Sequence, residues 1–112
     1  MTLKDMEISQ HGKDLEKLSN EQENTYLEQI NNWEINREKE QHILHKTFQF
    51  PSFKEAINFT NKNAEIANKE NHHPNILIYF KKVILEFTTH HKQGLTLNDF
   101  IMASKVDELI QT

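Results

Sequence analysis

The stretch NHHPNILIYFKKVILEFTTHHKQGLTLND, residues 71–99, holds two short apolar runs, one on each side of Lys81-Lys82. After Pro74, ILIYF is too short for a helix and is bounded by turn formers, so it reads as a strand. Beyond the lysines, Val83, Leu85, Phe87 and Thr89 fall on one side at period two, the pattern of a half-buried strand. Together they predict an antiparallel hairpin. The turn is placed at Lys81-Lys82, although neither is the Gly or Asn that two-residue turns prefer. Gly94 breaks the chain after the hairpin. Thr96 then caps a helix, Asp99 at its third position completes a capping box, and Phe100, Ala103, Val106 and Ile110 form its apolar face.

Working back from this hairpin, Ser52 with Glu55 opens a helix that runs to about Lys69. Phe53, Ala56, Ile57, Ala64 and Ala67 make its buried stripe, and the two alanines imply close packing on a sheet. Pro51 stops the strand before it. In that strand, ILHKTFQF, Leu44, Phe48 and Phe50 share one side and Lys46 interrupts it. Trp33 and Ile35 alternate in an earlier strand that ends in the charged NREKEQ, which makes a second hairpin. Ser19 and Gln22 form a capping box before a short helix with Tyr26, Leu27 and Ile30 on one face. Residues 1–17 are polar and weakly periodic and read as a partly ordered tail, leaving 18–112 as the domain. The order helix, two strands, helix, two strands, helix predicts an α+β fold: a four-stranded antiparallel sheet with three helices on one face. The other face or a sheet edge is left for a partner subunit.

Composition narrows the function. The 112 residues fit one domain, and the formal net charge of −4 comes with no basic stripe, which argues against direct nucleic-acid binding. With no cysteine, there is neither a disulfide framework nor a thiolate metal site. The N-terminus has no apolar signal core, and no segment approaches the roughly 18 apolar residues of a membrane span. A cytoplasmic protein is the expectation.

Four of the seven histidines stand in the stretch, as His72-His73 and His90-His91. Three chemistries compete for them. A zinc site is disfavoured, because adjacent side chains on an extended chain diverge, cysteine is absent and no H-x-x-x-H pair occurs. Polar residues at element ends account well for His11, His42 and His45, and for His91 as a solvated loop residue beside the site. For His72, His73 and His90 that reading weakens, since both ends of one hairpin carry them. Imidazole titrates near neutral pH and serves as acid or base, so two histidines on opposite sides of a small polar heterocycle can pass protons without metal or redox cofactor. Asp99 has a capping role already, and it is also placed to orient a histidine.

His72-His73-Pro74, the aromatic Phe80, Thr89-His90, Gly94-Leu95-Thr96 and Asp99, at these intervals, resemble the pterin-4a-carbinolamine dehydratases. LSNEQ at 18–22, Trp33, FQFPSF at 48–53, Ala56, Phe59 and the Ala64/Ala67 pair extend the resemblance over about residues 18–112. It implies a hydro-lyase that converts 4a-hydroxytetrahydropterin to quinonoid dihydropterin, in the recycling of the tetrahydrobiopterin used by aromatic amino acid hydroxylases. It implies no cofactor and no metal, and a homodimer or homotetramer. Carried onto this chain, His72 and His90 are the acid/base pair and His73 binds and orients the pterin. Pro74, Thr89, His91 and Lys92 line the pocket and Asp99 supports the histidines. The chain departs from the family at Asn68, where a Glu or another charged residue usually stands four positions before the first histidine. Ile76 lies where a tryptophan is often found. A catalytically weak pterin-binding or interaction module is therefore the rival reading; in animals the family includes partners of a homeodomain transcription factor.

Overall fold

A computed structural model describes residues 2–9 and 15–110. In chain order the regular elements are α1 (Asn20–Leu27), β1 (Glu34–Asn36), β2 (Ile43–Gln49), α2 (Phe53–Glu70), β3 (Asn75–Tyr79), β4 (Lys82–Phe87) and α3 (Leu97–Glu108). Short 3-10 turns stand at Leu3–Asp5 and His90–Lys92. This is the expected α+β order. The four strands form one antiparallel sheet ordered β1-β2-β4-β3, so each hairpin stays intact and β2 joins β4 in the centre.

Register places the apolar residues on one side. Leu44 lies opposite Phe87, Lys46 opposite Leu85 and Phe48 opposite Val83, while Ile76 and Ile78 of β3 face Leu85 and Val83. Directly opposed residues of antiparallel strands share a face, so these form the inner surface against which the helices pack. Leu44, Val83, Leu85 and Phe87 are fully buried there. Phe48 packs on Phe59 of α2 at 4.7 Å between ring centroids and edge-on to Trp33 at 6.0 Å.

Lys46, the interruption in β2, is resolved by α3. Its Nζ donates to Asp107 Oδ1 at 2.9 Å, and the indole Nε1–H of Trp33 reaches both oxygens of the same carboxylate at 3.0 Å. The ammonium also lies 4.9 Å from the Phe48 ring centroid. A charge inside a core is tolerated only when paired and hydrogen-bonded. The apolar alternation of β2 therefore survives a lysine because α3 brings a carboxylate to it.

The capping signals act much as read. Ser19 accepts from the Gln22 N–H while Gln22 returns to the Ser19 N–H. Ser52 accepts from the Glu55 N–H, but the Glu55 carboxylate meets the Ser52 hydroxyl rather than its backbone, so that box is open on one side.

Several expectations change. The tight turn is Phe80-Lys81, not Lys81-Lys82, because Tyr79 pairs with Lys82 and Phe80 takes a left-handed φ of 52°. On α2 the buried stripe is Ala56, Phe59, Asn63 and Ala67; Phe53 is half exposed, and Ile57 and Ala64 lie at its margins. Spacings of three and four from Ala56 run through Phe59 and Asn63, which the apolar count passed over because Asn63 is polar. Its amide nitrogen donates to the Phe59 carbonyl at 2.8 Å. Ile110 lies beyond α3 and is 45% exposed, whereas Ile101 and Met102 are buried as completely as Phe100, Ala103 and Val106. The reason is the N-terminal segment. Leu3 and Ile8 are buried in the main core, Leu15 is buried as well, and the turn at Leu3–Asp5 packs on α3. The reading of 1–17 as a polar tail thus gives way to a strap on the outer side of α3 over the described part. His11 falls outside the described residues.

Asp107→Ala is expected to lower unfolding stability by about 3–5 kcal/mol in urea titrations, since it strands both Lys46 and Trp33. The double change Lys46→Met with Asp107→Asn keeps an acceptor for the indole and removes the buried charge, so it should recover most of that loss. Equal losses in the two variants would show that the ion pair does not govern this part of the core.

Candidate active site

The two histidine pairs meet because the strands that carry them are antiparallel neighbours. β3 begins where β4 ends, with Asn75 opposite Glu86. Before β3, α2 is closed by Asn71 in the left-handed conformation (φ 54°, ψ 42°), its N–H donating to the Ala67 carbonyl. Asn tolerates this conformation better than most residues, and such a cap turns the chain sharply off the helix. Pro74 then biases His73 toward extended backbone. After β4, the Thr89 N–H donates to the Gly94 carbonyl at 2.9 Å and closes a small loop around the turn His90–Lys92. The left-handed residue of that loop is Gln93 at φ 54°, not Gly94. A Cβ at Gly94 would sit 2.6 Å from Cε of Lys17, so a larger residue there would require that exposed lysine side chain to move aside.

Asp99 ties these pieces together. It is fully buried in the first turn of α3. One carboxylate oxygen accepts from Nε2 of His72 at 2.7 Å. The other accepts from the Thr89 hydroxyl at 2.8 Å and the Thr96 backbone N–H at 2.9 Å. The Thr89 proton being spent on Asp99, the Thr96 hydroxyl donates to Thr89 Oγ1 at 2.8 Å. With Nε2 of His72 committed as donor, Nδ1 is the nitrogen left for another molecule. The ring lies nearly parallel to Phe87 (8°, centroids 6.2 Å apart), which fixes its plane.

The other two histidines have different supports. His73 Nε2 lies 3.0 Å from Oδ1 of Asn68, so the amide oxygen accepts from the ring. His90 Nδ1 lies 3.2 Å from Nε2 of Gln41, in the loop before β2. His72, His73, Thr89, His90 and His91 line one open cavity of about 330 Å³. Pro74 and Lys92, expected in the lining, are not among the residues that form it, while Ser9, Asn71, Thr88 and Asn98 are. Ser9 arrives on the N-terminal strap and is clasped by Asn98. The Ser9 N–H donates to Asn98 Oδ1 and Asn98 Nδ2 donates to the Ser9 carbonyl, both at 3.0 Å. Thr88 and Asn98 adjoin Thr89 and Asp99, so proximity to the motif was their signal. Ser9 and Gln41 had none.

Outside the cavity, His42 serves the scaffold. Its Nδ1 lies 2.8 Å from the buried Glu23 carboxylate, which also takes the Arg37 Nε–H at 3.0 Å. Among the described residues no three His, Cys, Asp or Glu side chains converge as a metal-holding group, and no helix is long and apolar enough to cross a membrane.

A buried carboxylate stands behind one of four imidazoles that line a single cavity at the joined ends of a hairpin, and such a set can pass protons to and from a small ligand. Residues 16–109 match the family described as pterin 4 alpha carbinolamine dehydratase. A Sulfurisphaera tokodaii relative, whose name as a pterin-4-alpha-carbinolamine dehydratase is provisional, is 40% identical over 86% of this chain and 99% of its own. One from Nitrosococcus oceani with the same provisional name is 42% identical over 74% of each. The crystal structure of a transcriptional coactivator/pterin dehydratase from Brucella melitensis superposes with a TM-score of 0.79 at 26% identity, covering 85% of this chain and 99% of that one. A pterin dehydratase-like protein described as a RuBisCO assembly factor of the alpha-carboxysome shares the fold at a TM-score of 0.62 and 22% identity, over 72% and 92% of the two chains. The chain belongs to the pterin-4a-carbinolamine dehydratase family.

Asn98→Ala removes both bonds of the clasp, together worth about 1–3 kcal/mol. Amide exchange over residues 2–9 should then quicken about tenfold or more while the β2–β4 amides keep their protection. Unchanged exchange in the strap would show that Leu3 and Ile8 hold it alone.

Proposed function

We propose that this chain catalyses dehydration of a 4a-hydroxytetrahydropterin to the quinonoid dihydropterin, with His72 and His90 as the proton-handling pair. The observation that carries this reading is the His72–Asp99 contact, beside a cavity that His72 and His90 both line. In the reaction the C4a–O and N5–H bonds break, a C4a=N5 double bond forms, and water leaves. No electrons are gained or lost, so neither a redox cofactor nor a metal is required.

His72 is the base. Its Nδ1 takes the N5 proton, and the resulting imidazolium is stabilised by Asp99 behind it. His90, exposed at the cavity mouth, donates to the departing 4a-hydroxyl. His73, supported only by the neutral Asn68, binds and orients the pterin. Thr89 and His91 complete the walls. The pterin, in this reading, is the small-molecule partner, and the recycling of a tetrahydropterin is the setting. A homodimer or homotetramer and a cytoplasmic location belong to the same proposal.

Asn68 favours one alternative. With an amide where the family usually has a charge, the alternative is a catalytically weak pterin-binding or interaction module. Stopped-flow dehydration of 4a-hydroxytetrahydropterin separates the two. The dehydratase reading expects acceleration that falls about 10²–10⁴-fold in His90→Ala with the fold intact. A wild type that binds pterin without accelerating its dehydration would establish the module instead.

Asn68→Glu should raise the rate, because a carboxylate partner stabilises a charged His73 near the substrate. An unchanged rate would mean that His73 needs orientation alone. Chelators should leave turnover untouched, and a large loss would bring back a metal.

A further inference from the structure

We infer that Gln41 is a positioning residue that keeps the ring hydrogen of neutral His90 on Nε2, the nitrogen turned away from Gln41. The inference rests on the dehydratase reading for its kinetic meaning but not for its geometry. The Thr88 hydroxyl donates to the His42 backbone carbonyl at 2.9 Å, which spends its one proton. Thr88 Oγ1 can therefore only accept from Gln41, whose side-chain nitrogen lies 3.3 Å away. This sets the amide with its NH₂ group inward. The second hydrogen of that group points to His90 Nδ1 at 3.2 Å. A nitrogen that accepts a hydrogen bond carries no hydrogen, so in the neutral ring the hydrogen is on Nε2.

The chain of bonds runs from a backbone carbonyl through Thr88 and Gln41 to His90, and each link fixes the direction of the next. Thr88 is 8% exposed, which shields the anchor from water. The consequence is a division of labour. His72, with Nε2 donating to Asp99, is left with a bare Nδ1, and His90, with Nδ1 accepting from Gln41, is left with an N–H at Nε2. A neutral imidazole that donates through N–H polarises an oxygen rather than removing a proton. His90 therefore stands on the leaving-group side of the dehydration, and its donor character is set by a residue that does not touch the substrate.

The test combines long-range 1H–15N NMR of the imidazoles with dehydration kinetics, on the full chain. Two variants are compared: Gln41→Glu, nearly isosteric but only an acceptor when ionised, and Gln41→Leu, which makes no hydrogen bond. His90 is assigned from the signals lost in His90→Ala. In the wild type, Nε2 should resonate as the protonated nitrogen and Nδ1 as the bare one. In Gln41→Glu the pattern should reverse, because the carboxylate draws the hydrogen to Nδ1. With melting unchanged, kcat should fall about tenfold or more in Gln41→Glu with little change in KM, as expected when a catalytic group is misdirected rather than substrate binding lost. Gln41→Leu should lie between the two. A wild-type ring protonated at Nδ1, or a Gln41→Glu spectrum identical to wild type, overturns the inference. A wild type without turnover whose His90 tautomer still reverses in Gln41→Glu removes the proposed reaction and supports the hold of Gln41 on His90.

Discussion

The carboxylate of Asp99 is the point on which the other parts of the site depend. It is fully buried, and its three donors come from three places: a ring after α2, a hydroxyl after β4, and the backbone at the N-cap of α3. A buried acceptor with all its donors in place stabilises the state that brings them together, and the same group without them is costly. The bonds that start α3 are thus also the bonds that join the two ends of the β3–β4 hairpin. The orientation of His72 comes with the fold rather than being added to it.

The opposite end of α3 repeats the device for another purpose. Asp107, roughly two turns further on, receives Lys46 from the centre of the sheet and the indole of Trp33. Two inward carboxylates at the two ends of one helix fix both its rotation and its position along the sheet. A shift of α3 that eased Lys46 would pull Asp99 from His72. Core integrity and site geometry are coupled through a single rigid element, and the strap over its outer side, with Leu3 and Ile8 buried, adds a third restraint.

Much of this was legible because it rests on local rules. Period-two alternation in 83–89 and the Ser19/Gln22 box each need only a few neighbouring residues to take effect. What escaped depends on partners distant in sequence. Lys46 reads as an error in a buried strand until Asp107 is beside it. Asn63 reads as a break in a stripe until its amide is seen to bond within its own helix. The first residues look like a tail because their few apolar side chains have no periodicity, yet Leu3 and Ile8 are buried in the core and Met6 packs against it. Phe80 in a left-handed turn goes against backbone preference, and the pairing of Tyr79 with Lys82 overrides it. In the site the histidines announced themselves by type and spacing. Gln41 could not, for it sits in a charged loop and acts through a bond that exists only once both hairpins share a sheet.

Three of the four cavity histidines differ in what stands behind them. His72 is backed by a carboxylate, His73 by an amide oxygen and His90 by an amide NH₂. Only the first supplies a negative charge, so only His72 has a partner that compensates a proton taken from substrate. An amide oxygen orients a ring without paying that electrostatic cost, which suits binding. Asn68, where the resemblance implies a charged residue, stands behind His73. It touches the orienting histidine and leaves the His72–Asp99 pair whole. On the proposed reaction, the substitution therefore bears first on how the pterin is held and only second on where its proton goes.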